Sequence, residues 1–208
     1  FDVPLSYTSG FESVLKNIGE MENQGFEFLI NSNLMKTKDF RWDVNLTGTF
    51  NRNKIIKLAT DKPIENTTTI RKVGEAYNTF YMAEYAGVDP ETGSPLWYKG
   101  KEGKEGKETT SNINEAGQRI VGSADPKFYG GIGMNFKYKN FDLSADVSYT
   151  LGNKVYNSGF SYDMQVGHYF LGPVSNYVYE NRWQKPGDIT NVPKFEAGNS
   201  SSAEANST

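Results

Sequence analysis

The sequence predicts an all-β chain, an antiparallel meander assembled from hairpins. Three observations carry that prediction. Between Phe128 and Leu151 apolar residues recur with period two and change phase across Lys139-Asn140; a second such pattern runs from Phe26 to Phe50; and the composition is rich in aromatics (14%) and in glycine (21 residues) although only 37% of it is hydrophobic. Side chains alternate faces along a strand, so period two marks a sheet with one apolar and one polar face.

The first 25 residues are punctuated by Pro4, Gly10, Gly19 and Gly25 and read as irregular. Within them Phe11, Val14, Leu15 and Ile18 stand at i, i+3, i+4 and i+7, spacing that would suit an amphipathic helix of two turns. From Phe26 the period becomes two, with Phe28, Ile30 and Leu34 in phase and Glu27, Asn31 and Asn33 opposite. After the polar loop Lys36-Thr37-Lys38-Asp39 the alternation resumes through Phe40, Trp42, Val44, Leu46, Gly48 and Phe50. A hairpin pairing Leu34 with Phe40, Ile30 with Val44 and Phe28 with Leu46 gives one apolar face.

In the connection from Asn51 to Lys127, Ile55 to Leu58 and Tyr77 to Val88 read as extended. Asp89-Pro90-Glu91-Thr92-Gly93 is a turn, with Pro preset for the bend and Gly able to take positive φ, and Pro95-Leu96-Trp97-Tyr98 completes a hairpin across it. Lys99 to Ser111, with its short Lys-Glu-Gly repeats, reads as a solvated charged loop.

The hairpin from Phe128 to Leu151 follows. A two-residue loop at Lys139-Asn140 pairs Tyr138 with Phe141, Phe136 with Leu143, Met134 with Ala145 and Ile132 with Val147. Its other face carries Asn135, Lys137, Asp142, Ser144, Asp146 and Ser148, which require water or a hydrated cavity. Past Leu151, Ser175 to Trp183 predicts a short helix with Ser175 as N-cap. Residues 1–198 then read as one partial β domain, and 199–208, poor in apolar groups, as a disordered tail.

If both short turns lie on one side of the sheet, the long connections lie on the other, and the segment from 51 to 127 contains an even number of crossings. Short turns on one side and long loops on the other mark a membrane β-barrel, and a soluble up-and-down barrel shares the asymmetry. No apolar run approaches the roughly 18 residues a spanning helix needs, whereas spanning strands need only about 9 to 11. A net charge of −3 with scattered Lys and Arg gives no footprint for nucleic acid.

Catalytic and metal chemistry find little support. His168 is the sole histidine and there is no cysteine, so a histidine-based triad or multi-histidine metal site cannot form within the chain. Asp142 and Asp146 lie four residues apart on one strand face, about 13 Å in extended chain, too far for a glycosidase pair. The turn at Asp89 to Gly93 lacks the alternating acidic positions of an EF-hand loop, and Gly130-Gly131-Ile132-Gly133 opens no helix, as a phosphate cradle must. The chain reads as no enzyme, with no cofactor. Tyr81, Tyr85, Trp97 and Tyr98 are the candidate ligand contacts, as exposed rings able to stack on sugars or pack on peptides; the alternative role for them is mutual packing.

Several segments together resemble one family. They are Asn17-Ile18-Gly19-Glu20-Met21-Glu22-Asn23-Gln24-Gly25-Phe26-Glu27, Asp39-Phe40-Arg41-Trp42, Asn51-Arg52-Asn53-Lys54-Ile55, Glu84-Tyr85-Ala86-Gly87-Val88-Asp89-Pro90-Glu91-Thr92-Gly93 and Arg182-Trp183-Gln184-Lys185-Pro186-Gly187-Asp188. In this order they resemble the SusC/RagA family of TonB-linked outer-membrane transporters, from about Pro4 to Pro193. The resemblance implies part of a 22-stranded transmembrane β-barrel with long extracellular loops, from its C-terminal half, in the outer membrane of a Gram-negative bacterium. It implies import driven by the TonB complex, a SusD-like surface lipoprotein as partner, and oligosaccharide or peptide cargo. The chain, opening on Phe1 and closing on Thr208, is then expected to be a piece of a longer protein. On that assignment Phe128, Tyr138, Phe141 and Tyr149 face lipid near the strand ends and Ile132, Met134, Phe136, Leu143 and Val147 face it in the middle, where every second residue contacts hydrocarbon. The alternative from another class is a soluble β-sheet module that binds glycans.

Overall fold

The computed structural model describes residues 2–4, 8, 10–11, 13–15, 19–58, 62–100, 105–159 and 175–195. In chain order its elements are β1 (Asp2–Pro4), β2 (Ser13–Leu15), β3 (Glu20–Lys36), β4 (Phe40–Lys57), β5 (Ile64–Glu65), β6 (Thr69–Arg71), β7 (Thr79–Met82), β8 (Tyr85–Val88), β9 (Pro95–Tyr98), β10 (Thr109–Thr110), α1 (Ile113–Ala116), β11 (Arg119–Ser123), β12 (Phe128–Tyr138), β13 (Phe141–Leu151) and α2 (Asn176–Asn181). The chain is all-β with antiparallel sheets and divides into two compact units, Phe1–Thr79 with Gly122–Lys154, and Phe80–Val121 with Val155–Thr208.

The first unit is organised by the sheet β3-β4-β12-β13. Its strands follow one another as an antiparallel meander, and β4 pairs directly with β12, so the connection between them makes no crossing of this sheet. The pairing of β12 with β13 is the one the pattern predicts, from Tyr138 opposite Phe141 to Ile132 opposite Val147. Lys139 takes φ 54°, the positive value a two-residue hairpin turn requires at its first central position. The Lys139 amide donates to the Asp39 carbonyl at 2.8 Å, which fixes the two short turns side by side.

The first hairpin differs in register. Ile30 stands opposite Leu46 and Phe28 opposite Gly48, two residues away from the expected pairing, and a bulge at Leu34 lies between Asn33 and Met35. The turn accounts for part of this: Thr37 donates its amide to the Phe40 carbonyl at 2.7 Å and accepts the Phe40 amide on its hydroxyl at 3.0 Å, closing a loop that leaves Lys36 opposite Arg41. A two-residue shift keeps each side chain on its face, so the apolar surface survives the correction.

β4 continues past the rest of the sheet. Beyond Phe50 it pairs only with β3, and the Ile55 backbone exchanges bonds with Glu75 and Gly74 at 2.8 and 2.9 Å while its side chain is buried. The stretch expected as a short helix is instead partly strand, since Ser13–Leu15 pairs with Asp2–Pro4; a two-turn helix is marginal alone, and strand pairing satisfies the backbone. Ile18 of that pattern lies outside the described residues, as do His168 and the tail 199–208.

In the second unit β8 and β9 form the hairpin expected across Asp89 to Gly93, with Val88 opposite Pro95, and β10 extends it on the β9 side. That last pairing corrects the reading of Lys99 to Ser111 as wholly a solvated loop. Thr109 and Thr110 complete a ladder with Tyr98 and Trp97, and Lys99 holds Glu108 through its backbone at 2.8 Å and its ammonium at 2.9 Å. Residues 101–104 lie outside the described residues. Trp97 and Ala116 form one buried cluster, with Ala83, Tyr85 and Ile113 packed against them. The helix α2 begins where Ser175 predicts, the hydroxyl accepting the Val178 amide at 3.3 Å.

Candidate functional site

The apolar face of the four-stranded sheet is built in rows. Ile30, Leu46, Ile132 and Val147 form one row across all four strands, and Val44, Met134 and Ala145 form the next across three. Aromatic tiers bound this aliphatic middle. On one side Phe26 stacks on Phe50 at 5.8 Å, Phe28 on Phe128 at 6.5 Å, and Phe128 meets Tyr149 at 5.4 Å; on the turn side Trp42 stacks on Phe136 at 5.3 Å, beside Phe40, Tyr138 and Phe141. Such a surface would be core in a soluble sandwich. Here Phe26 is 61% exposed, Leu143 64% and Phe141 78%, so the face is open.

Two glycines shape this face. In the row Phe28, Gly48, Gly130, Tyr149 the bare positions are covered from both ends. A Cβ on Gly48 would lie 2.3 Å from the Phe28 ring, and one on Gly130 2.6 Å from the Tyr149 hydroxyl, which donates to the Thr47 carbonyl at 2.8 Å.

The opposite face is a polar lattice. Asn45 accepts the Gly133 amide at 3.1 Å, Thr47 accepts the Gly131 amide at 2.9 Å, and Ser144 donates to Asn135 at 2.8 Å. Asp43 accepts from Asn33 and Arg41, each at 2.6 Å, and Lys137 lies 3.4 Å from Asp142. Most of these short links join neighbouring strands on one face, and in a wet environment they add specificity more than energy. Among the described residues no group of three or more His, Cys, Asp or Glu is arranged to hold a metal ion.

The second unit braces a turn. Asp89 accepts the Glu91 amide at 2.9 Å and the Thr92 hydroxyl at 2.8 Å, which hold its carboxyl below the usual carboxylate range. The turn is then gripped by residues 182–195. Trp183 donates its indole N–H to the Pro90 carbonyl at 2.9 Å, Gly187 donates to the same oxygen at 2.9 Å, and Lys194 donates to the Gly93 carbonyl at 3.0 Å. Asp188 accepts the amides of Gln184 and Lys185, both at 3.0 Å, and so shapes the gripping segment. Two of the segments that carried the family resemblance are thus one structural feature.

The predicted ligand contacts divide. Trp97 is only 1% exposed: it is a core residue and not an exposed ring, because alternation along β9 turns it toward Ala116 and Tyr85. Tyr85 meets Trp97 edge-on at 6.4 Å and donates its hydroxyl to the Asn191 carbonyl at 3.1 Å, and burial pushes its phenol pKa up. Tyr81 and Tyr98 are half-buried and retain accessible surface. The residue that sequence reasoning missed is Arg119, buried, donating to Glu84 at 3.0 Å and to the carbonyls of Tyr98 and Gly100 at 2.8 and 2.6 Å. An isolated arginine in an irregular stretch gives no periodic signal.

No protein-family model matches the chain. It is 32% identical to the TonB-dependent receptor SusC of Bacteroides thetaiotaomicron over 188 residues, which are 80% of this chain and 17% of that protein. It is 29% identical to the TonB-dependent receptor P3 of Formosa agariphila over 221 residues, 93% of this chain and 21% of that protein. Among solved structures, a chain of the RagAB peptide transporter superposes with a TM-score of 0.78 at 32% identity over 95% of this chain and 22% of its own length, and one of the RagAB peptide importer in its closed-closed state with 0.70 at 31%. The chain spans about a fifth of the length of these curated relatives. Sequence and fold agree with these relatives over most of the chain, and the chain belongs to the SusC/RagA family of TonB-dependent receptors.

Proposed function

We propose that this chain is a wall segment of an outer-membrane importer that takes up oligosaccharides or peptides, is energised through TonB and works with a SusD-like surface lipoprotein. The observation that supports this best is the uncovered apolar face. From Phe128 to Tyr138 the strand rises about 34 Å, which at a tilt of about 40° gives a band roughly 25 Å tall, the height of the apolar belt on outer-membrane barrels. In this reading Phe128, Ile132, Met134, Phe136, Tyr138, Phe141, Leu143, Val147 and Tyr149 touch lipid, the aromatic tiers lie at the two interfaces, and Lys137, Asp142 and Asp146 face the hydrated interior. The likeness to a SusC receptor and to a RagAB peptide transporter supports import of this kind.

The reading assigns transport, not catalysis, to this wall. Tyr81 and Tyr98 are the proposed cargo contacts, and Tyr85 and Trp97 support them from the core. Introducing aspartate at Ile132 and, separately, at Asn135 of the full-length protein tests the orientation. Charge at the lipid-facing position costs about 2–4 kcal/mol for a basic residue, and somewhat less for an acidic one. Ile132→Asp should therefore abolish the folded, heat-modifiable band in outer membranes while Asn135→Asp keeps it. The reverse order would mean that the apolar face meets water, and would overturn the lipid-facing assignment. Uptake of labelled cargo by Tyr81→Ala and Tyr98→Ala then tests the contacts, and unchanged uptake removes both from the site.

A further inference from the structure

The polar face of the sheet carries a single aromatic residue among β3, β4, β12 and β13, Tyr129, and it lines a hollow on this face. Tyr129 stands opposite Thr49, which stands opposite Glu27. One step along, Gly25 faces Asn51, and a Cβ at Gly25 would lie 2.1 Å from the Phe50 carbonyl oxygen, so the floor there is bare backbone. The result is an open hollow of about 280 Å³ lined by Gly25, Glu27, Thr49, Asn51 and Tyr129. Phe26 and Phe50 also border it, and their rings stack on each other at 5.8 Å.

We propose that this hollow is a binding subsite for a cationic side chain of peptide cargo, a lysine ammonium or an arginine guanidinium. The proposal rests on the reading that the polar face lines the transport path. The lining supplies one carboxylate, a hydroxyl, an amide and a π-face, and no positive charge. A carboxylate and a ring face both attract a cation, and the hydroxyl and amide can accept its remaining N–H groups. An anionic group would meet Glu27 unpaired. The sequence pattern hid the site because Tyr129 sits out of phase with the apolar residues around it.

The test uses the full-length transporter with its partner subunit and two probes: the capped peptide Ac-Ala-Lys-Ala-Ala-amide, and the same peptide with norleucine in place of lysine. Wild type should bind the lysine peptide more tightly. Glu27→Gln should weaken that peptide by about threefold to fivefold, the scale of one solvent-accessible charge pair, and leave the norleucine peptide unchanged. Tyr129→Leu should weaken the lysine peptide and Tyr129→Phe should restore it, since the ring and not the hydroxyl faces the cation. Glu22→Gln, also on β3 but outside the hollow, should change neither. If wild type binds both probes and Glu27→Gln affects them equally or not at all, this subsite is refuted and the transport reading stands. If wild type binds neither probe, the subsite is refuted, and failure to take up any oligosaccharide or peptide in the same cells refutes the transport reading as well.

Discussion

Trp183 donates its indole N–H to the carbonyl of Pro90 at 2.9 Å, while its ring lies against Gly93. A Cβ on Gly93 would fall 2.4 Å from the indole, and the residue holds φ +71°, which L side chains rarely adopt. Alanine at 93 therefore meets two costs at once, strain in the backbone and overpacking against the ring. Together they amount to about 2–4 kcal/mol. Trp183→Phe removes only one N–H from a carbonyl that still accepts from Gly187, and should cost about 1 kcal/mol. Hydrogen exchange at the amides of Asp89 and Gly93 in the full-length protein reads both. Gly93→Ala protecting these amides as well as Trp183→Phe does would mean that the ring does not grip the turn.

The same turn should respond to acid. The Asp89 carboxyl is held low, first by the Glu91 amide and then by the Thr92 hydroxyl. A carboxyl depressed in the folded state contributes stability above its unfolded value, near 3.8, and loses it as pH falls through the folded one. Protection of the Glu91 amide, corrected for intrinsic exchange, should be flat from neutral pH down to about 4 and decline below that. Asp89→Asn keeps an acceptor oxygen but removes the titration, so its profile should stay flat. A wild-type decline centred above pH 5 would assign the effect to a different group.

How much of this was legible in the sequence depends on what sets each feature. The register of β12 with β13 was readable because a two-residue turn and two clean alternations leave a single pairing that puts Ile132, Phe136, Leu143 and Val147 on one face. The register of β3 with β4 was not, since the bulge at Leu34 and the closure by Thr37 are backbone events that alternation does not encode. The Asp89–Gly93 turn was legible as a turn, but its partner Trp183 is more than 90 residues away, and no local rule links them. Trp97 carried the same signal whether it faced a ligand or a core. Period two assigns it a face, and only the position of Ala116 shows that this face is covered.

Arg119 is the second long-range brace. Its guanidinium spans Glu84 and the carbonyls of Tyr98 and Gly100, acceptors that a single ammonium cannot reach together. Arg119→Lys should destabilise this unit by about 1–3 kcal/mol, because the part-buried carbonyls lose their donors. Glu84→Gln should cost only about 1 kcal/mol, since Glu84 is 31% exposed and water can replace part of the interaction. Limited proteolysis of cells displaying the full-length protein should cut the lysine variant fastest within 99–118. Equal resistance of the two variants would show that the ion pair, and not the carbonyl contacts, carries the brace.

Gly130 and Gly131 are neighbours on β12 that point to opposite faces, and they should differ sharply in what they tolerate. A Cβ on Gly130 would lie 2.1 Å from the Thr47 carbonyl oxygen and 2.6 Å from the Tyr149 hydroxyl; one on Gly131 would lie 3.4 Å from the Val147 carbonyl oxygen and 3.6 Å from the Thr47 hydroxyl. The first is a clash with backbone, which cannot step aside without moving β4. The second is ordinary contact, and alanine there restricts the unfolded chain as well. Gly130→Ala should therefore lower stability by about 2 kcal/mol or more, and Gly131→Ala should be neutral or gain up to about 1 kcal/mol. Adding Tyr149→Phe to Gly130→Ala tests the cause. Removing the hydroxyl relieves one of the two close approaches but also deletes its bond to Thr47, so the double variant should recover only part of the loss. The temperature at which the folded barrel converts to its slower-migrating form on a detergent gel reads all three. Full recovery in the double variant would mean that the hydroxyl alone excludes a side chain at Gly130, and that β4 and β12 lie farther apart than their pairing indicates.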